Sequence, residues 1–280
     1  MALTPPGIAR AFAAACRAEL DALKPGNVHR FAAGHGMEPA HFEAAAAAAA
    51  PFMGAAGLSV GQRIAGAVDA SLAATGLNAN LGIVLLCAPL AQAALTVSPA
   101  PFRERLSQVL GTLDTADADA AFGAIARANP GGLGAAPEAD VRAPAATTLA
   151  AAMALAAHRD LIARQYASGF ADLFAVGVPR LAGAPLAPAR LEAAFLAFLA
   201  GFPDSHVARK FGAGTAEAVR AEAEALREEI DGLPDPARHR RLLAFDARLK
   251  ARGLNPGTSA DLTVASAFAA LLLAAEEAQA

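Results

Sequence analysis

Five short polar stretches interrupt a chain otherwise dominated by alanine and leucine, and they concentrate residues able to bind anions, hold metals or move protons. KPGNVHR (residues 24–30) places Lys24, Asn27, His29 and Arg30 in a turn made by Pro25 and Gly26. GHGME (34–38) sets His35 between two glycines and puts Glu38 just ahead of Pro39; a His–Glu pair can ligate a metal or relay a proton. GLNANLG (76–82) puts Asn78 and Asn80 at the mouth of an apolar run, where the free N–H groups of a helix start attract anions. FPDSHVARKFG (202–212) spaces Ser205 four residues from Arg209 and His206 four from Lys210, so each pair shares one side of a short helix. Arg and Lys together suit phosphate, and Asp204 can hold a Mg²⁺ that bridges phosphate oxygens. GLNPGTSADL (253–262) delivers Thr258, Ser259 and Asp261 to the start of another apolar run. Each stretch also has a plain structural reading, as a solvated turn or a helix cap.

The elements that must position these residues are helices. Alanine, the best helix former, exceeds a quarter of the chain, and no long run alternates apolar and polar residues as a half-buried strand would. Thr4-Pro5, Ser98-Pro99 and Asp235-Pro236 each read as a cap followed by proline at the first helical position. Asn78 reads as a cap, as does Asp204 or Ser205, and Thr258 with Asp261 resembles a capping box. Expected helices cover 5–22, 40–56, 60–74, 79–96, 99–112, 115–128, 147–175, 189–201, 204–211, 215–230, 236–252 and 258–278. The fold class is therefore all-α, a single domain of about ten to twelve helices. PGGLG (130–134) is the clearest loop and the one place where the chain could divide. Residues 81–95 and 262–274 are apolar nearly all round, which marks central helices.

Bulk properties narrow the function. With 280 residues and a net charge of −3, the chain has no basic stripe or tail, which argues against nucleic acid as a partner. Cys16 and Cys87 sit in apolar helical contexts and read as free buried thiols. The N-terminus lacks a basic region followed by an apolar core, and the apolar runs are too short to span a bilayer, so the expectation is a cytoplasmic protein without a membrane partner. Alanine-rich helix faces could support a homodimer, although no heptad seam specifies one. No P-loop, Rossmann fingerprint or nucleophile-elbow sequence is present.

Taken in order, KPGNVHR, GHGMEPAHF, TGLNANLGIVLL, FPDSHVARKFG and NPGTSADL resemble the triphosphoribosyl-dephospho-CoA synthase family, and the resemblance runs from residue 24 to 262. It implies an all-helical fold and small-molecule nucleotide substrates. The implied reaction transfers a triphosphoribosyl group from ATP to the 2′-hydroxyl of dephospho-CoA, with adenine leaving. Carried over to the matching positions, it assigns Lys24, Arg209 and Lys210 to phosphates, and Asn78 and Asn80 to ribose or phosphate oxygens. Asn27, His29, His35, Ser205 and Ser259 are further binding candidates. Glu38, Asp204 and His206 become catalytic candidates, and Glu38, Asp204 and Asp261 the ligands of a Mg²⁺ that accompanies ATP. Three motifs depart from the synthases. The first reads closer to PKPGLVD there, with an acid where His29 stands. The second has an Asp-Met pair in place of Gly36-Met37. The third reads closer to NTHKG, where this chain has NANLG. The variants look like a branch of methanogens and methylotrophs that accompanies tetrahydromethanopterin-dependent one-carbon metabolism. Three readings follow: the family reaction, a transfer step in pterin-type cofactor synthesis on a phosphorylated ribose, or a non-catalytic nucleotide-binding protein.

Overall fold

Side chains that catch the first free N–H groups decide where most helices begin. The computed structural model describes residues 3–34, 36–132, 139–183 and 185–279. In it, α1 (Pro5–Asp21) starts at Thr4, whose Oγ1 accepts from Gly7 N at 3.3 Å. α2 (Pro39–Gly54) starts at a capping box of Glu38 with His41, and α3 (Val60–Thr75) at one of Ser59 with Gln62. α4 (Leu81–Leu95) and α5 (Phe102–Gly111) follow, then α6 (Thr115–Ala128), opened by Asp114 and Asp117. Beyond it come α7 (Leu149–Ala156), α8 (Leu161–Ser168), a π-helical turn (Leu173–Gly177), α9 (Val178–Leu181) and α10 (Pro188–Gly201). α11 (Ser205–Phe211), α12 (Ala213–Ile230), α13 (Asp235–Ala251) and α14 (Gly257–Glu277) complete the order.

The described residues thus form fourteen α-helices and no strand; two isolated bridges, His29 with Ala32 and Gly34 with Met37, pin the second polar stretch. The count exceeds the expected ten to twelve mainly because 147–175 is not one helix. Asp160 accepts from Ile162 N and Ala163 N and restarts the chain as α8, while Gly169 and Phe170 both adopt positive φ and end it. Two expected caps also move. Ser98 accepts from Ala100 N in a turn, and α5 begins only after Pro101. Asp235 is itself the first residue of α13. Thr258 and Asp261 form no capping box: α14 begins at Gly257, so both lie inside its first turn.

The central helices are the two that are apolar all round. α14 packs against α1, α4, α10 and α11, and α4 also packs against α2, α3 and α5. Both were expected to be too short for a bilayer, yet α14 is long and apolar enough to cross one by length and composition. Its apolar window is 72% buried by neighbouring helices, as befits a core helix. One apolar cluster gathers Phe12, Leu86, Phe198 and Phe268; a second gathers Phe195, Leu199, Leu242 and Phe245, with α10 feeding both. A wholly buried Arg63 closes the end of α2, donating to the carbonyls of Phe52 and Met53 and to Gln92 Oε1. Cys16 and Cys87 are buried free thiols.

Candidate active site

The N-terminal ends of α4, α8 and α14 and one side of α11 converge on a cavity of about 740 Å³. Its rim and its interior carry opposite charge. Arg159 and Lys210 stand exposed at the rim, with Arg209 half-buried beside them. Among the described residues neither Arg159 nor Lys210 has an ion-pair partner. Arg209 Nη1 is held 2.6 Å from Asp160 Oδ2, and its Nε is buried with no hydrogen-bond partner among the described residues. Inside lie Glu19 and Asp261, with the amides of Asn27, Asn80 and Asn255. Met37, Phe42, Ile83, Leu85 and Ile162 supply apolar wall, the mix of apolar surface and few aimed polar groups typical of small-molecule sites.

Asp261 meets the cavity where α14 crosses the start of α4. A Cβ on Gly82 would lie 2.0 Å from Asp261 Oδ2, so only glycine allows the carboxyl this close to the α4 backbone. Burial pushes the Asp261 carboxyl well above the usual range; Asp204 and Glu19 push it further, and Arg209 opposes them. His206 also lines the cavity, its ring against the first residue of α14: a Cβ on Gly257 would lie 2.8 Å from His206 Nδ1. Asn78 Oδ1 accepts from Leu81 N, the first N–H of α4, at 3.3 Å, but the cap position falls to Asn80 rather than to the expected Asn78, and the Asn80 side chain turns inward to donate to Ser71 Oγ at 3.0 Å.

The structure therefore sorts the predicted residues. Asn27, Asn78, Asn80, His206, Arg209, Lys210 and Asp261 come together on the cavity. Asp204 does not face it. Its Oδ1 accepts from His206 N and Val207 N, and its Oδ2 from Ser259 N and Ser259 Oγ, which ties α11 to α14 and leaves no oxygen for a metal. Ser259 is thereby a fastener, and so is Ser205, whose Oγ accepts from Leu161 N at 2.8 Å. Lys24 is wholly buried and paired with Glu19 at 3.0 Å, behind the wall. His29 is likewise buried. Asp246 Oδ1 lies 3.3 Å from its Nε2 and accepts from Gly26 N, while Asp246 Oδ2 accepts from Lys250 Nζ. Burial would raise the Asp246 carboxyl, but the hydrogen bonds from His29, Lys250 and Gly26 outweigh it and hold it below the usual range. Burial, aided by Lys250, lowers His29. Glu38 is exposed at the start of α2, outside the cavity, and His35 lies outside the described residues.

The expected metal trio is not assembled: of Glu38, Asp204 and Asp261, only Asp261 faces the cavity. Among the described residues no group of three or more His, Cys, Asp or Glu side chains is placed to hold a metal. Glu19, Arg159, Asp160, Asn129 and Asn255 line the cavity without having been singled out from the sequence. For Glu19 a signal existed: it is the one charged residue on the buried stripe Ile8, Phe12, Ala15, Cys16, Glu19, Leu20.

A sequence profile of the ATP:dephospho-CoA triphosphoribosyl transferases matches residues 5–280. The chain belongs to that family. It is an enzyme, a transferase, which sets aside the non-catalytic reading. A crystal structure from Archaeoglobus fulgidus, of a protein provisionally assigned as a triphosphoribosyl-dephospho-CoA synthase, superposes with a TM-score of 0.66 at 26% identity. The match covers 81% of this chain and 97% of that one. A search of curated proteins finds no match. The transferase family thus supplies the reaction class, a triphosphoribosyl transfer to a dephospho-CoA-like substrate.

Proposed function

We propose that the enzyme transfers the triphosphoribosyl group of ATP to the 2′-hydroxyl of dephospho-CoA and releases adenine. The observation that carries this reading is Arg209. One end of its guanidinium is fixed on Asp160, while its buried Nε lacks a partner in a residue that lines the cavity. A buried unpaired donor is costly, and a phosphate oxygen would satisfy it. Lys210 and Arg159 add two exposed cations at the same rim, and the starts of α4 and α8 add helix-dipole potential of the same sign. The triphosphate would lie at this rim, with the ribose directed inward past Asn78 toward the amides and acids. A Mg²⁺ would travel with the phosphates rather than on a protein ligand set, as suits an ion that keeps much of its water.

The interior suits charge separation at the ribose carbon. Its apolar wall lowers the local dielectric, which strengthens the effect of every fixed charge on an oxocarbenium-like state. Asp261, with its carboxyl pushed upward, is suited to hold a proton and share it with the departing adenine nitrogen. Mass spectrometry of the protein with ATP, Mg²⁺ and dephospho-CoA tests this reading. The expected result is free adenine together with the matching adduct; adenine that fails to appear with dephospho-CoA present overturns it.

One observation favours a second acceptor. Leu81, at the position where the third synthase motif carries Lys, forms buried cavity wall, so an apolar surface replaces a cation next to the ligand. A pterin-type intermediate of one-carbon cofactor synthesis, with a flat ring and fewer phosphates than dephospho-CoA, would suit that wall. Adenine release that depends on such an intermediate and not on dephospho-CoA would establish this reading.

A further inference from the structure

The deep wall of the cavity holds a carboxylate with its own buried cation. Glu19 Oε1 lies 3.0 Å from Lys24 Nζ, and Lys24 donates another N–H to the carbonyl of Val28 at 2.7 Å. Lys24 does not line the cavity, whereas Glu19 does, and Glu19 Oε2 takes no hydrogen bond from the described residues. The Asn27–Asn255 pair, joined at 2.8 Å, and Asp261 stand on the same wall.

We propose that Glu19 is the catalytic base that takes the proton of the acceptor hydroxyl, and that Lys24 is the positioning residue that fixes its carboxylate toward the cavity. The proposal rests on the transfer reading above. In the step, the acceptor oxygen bonds to ribose C1′ as the C1′–N9 bond of ATP breaks, and that electron pair leaves with adenine. The hydroxyl proton moves to Glu19 Oε2 and then to solvent, while adenine takes up one proton, so each turnover balances.

The other acids at the cavity are less suited. Asp160 Oδ1 is occupied by two backbone N–H groups and Oδ2 by Arg209. Asp261 is pressed against α4 and, among the described residues, has no cation within ion-pair distance to stabilise its anion. Glu19 combines a fixed cation on one oxygen with an open second oxygen. Burial raises its carboxyl more than Lys24 pulls it down, which makes its carboxylate a stronger base than one on the surface. The ionisable groups around it are Lys24, Asp261 from α14 and Cys16 one turn back on α1, with Asp246 and Lys250 beyond Lys24.

The test uses the full chain with ATP and dephospho-CoA, reading adenine release. Glu19→Gln is expected to lower kcat about 100-fold or more, with KM and the calorimetric Kd for ATP within about threefold. Lys24→Met is expected to move the acid limb of the kcat/KM profile to higher pH, because the cation that holds Glu19 ionised is gone; Lys24→Arg should restore most of the shift. Either single variant could unfold from an unpaired buried charge, so the double variant Glu19→Gln/Lys24→Met, which removes both charges, keeps the test open. It is expected to fold and remain inactive. A folded Glu19→Gln or double variant keeping more than about a tenth of wild-type kcat overturns the proposal, since a general base supplies more than that. So does an acid limb that Lys24→Met leaves unmoved. Wild-type protein that releases no adenine overturns the transfer reading itself, and this proposal with it.

Discussion

The α11–α14 junction and the cavity beside it draw on the same residue types and use them in opposite ways. At the junction, Asp204 is wholly buried and both oxygens are occupied by four hydrogen bonds. Fifty-odd residues later in the chain, Asp261 faces the cavity with no hydrogen-bond or ion-pair partner among the described residues and a carboxyl pushed well upward by its surroundings. The cations divide in the same way. Lys24 and Lys250 are tied to carboxylates behind the wall, while Arg159 and Lys210 stand at the rim with no ion-pair partner among the described residues. Saturation, rather than residue type or motif membership, separates what holds the site from what meets the ligand.

Substitutions that hit one region and spare the other should break or sharpen this contrast. The largest effect is expected from Asp204→Ala. It strands the buried backbone N–H groups of Val207 and Ser259 and the Ser259 hydroxyl, while His206 N keeps Thr258 Oγ1, and urea unfolding should show a loss of about 3 kcal/mol. A loss below about 1 kcal/mol would mean the junction does not depend on its hydrogen bonds.

Asp261→Asn should do the reverse, lowering turnover about tenfold or more while leaving the protein at least as stable at neutral pH. The sign follows from the raised carboxyl. Well below pH 4 both folded and unfolded chains hold the proton, so ionisation of this group costs the wild type nothing there. As pH rises, the unfolded chain releases the proton more readily than the folded one, which costs the wild type stability that the Asn variant keeps. Chemical denaturation at pH 3.5 and pH 7 should show the gap opening upward; a gap that opens downward would place a stabilising partner on Asp261.

Rim cations should matter for binding alone. Lys210→Ala or Arg159→Ala is expected to weaken ATP affinity about tenfold in calorimetry, more at low salt than at high, with stability within about 0.5 kcal/mol. Affinity unchanged by both substitutions would move the triphosphate elsewhere. Smallest of all, Glu38→Ala should cost about 1 kcal/mol through the α2 capping box and leave kcat alone. A collapse of kcat would bring Glu38 into the site despite its place outside the cavity.

Much of this was legible beforehand. Alanine content and cap residues predicted an all-helical chain, and Thr4 and Asp204 cap where their side-chain chemistry says they should. The break inside 147–175 was missed because His158-Arg159-Asp160 reads as an ordinary helix surface until Asp160 is seen catching Ile162 N and Ala163 N. The polar motifs pointed to the right end of the molecule, since seven of their residues share one cavity. They could not say which residues face inward. Lys24, His29 and Asp204 look like ligands in sequence, yet each is taken by a partner: Lys24 by Glu19 five residues back, His29 by the distant Asp246 on α13, and Asp204 by the distant Ser259 on α14.

The sequence by itself determined the helices, their caps and the clustering of polar residues, because those depend on contacts within a turn or two of chain. Only the tertiary structure decided that Asp204 is a fastener and Asp261 a cavity group, or that Glu19 on a buried stripe opens onto the site. A side chain's availability depends on which donors and acceptors distant segments bring to it, and helix packing sets that.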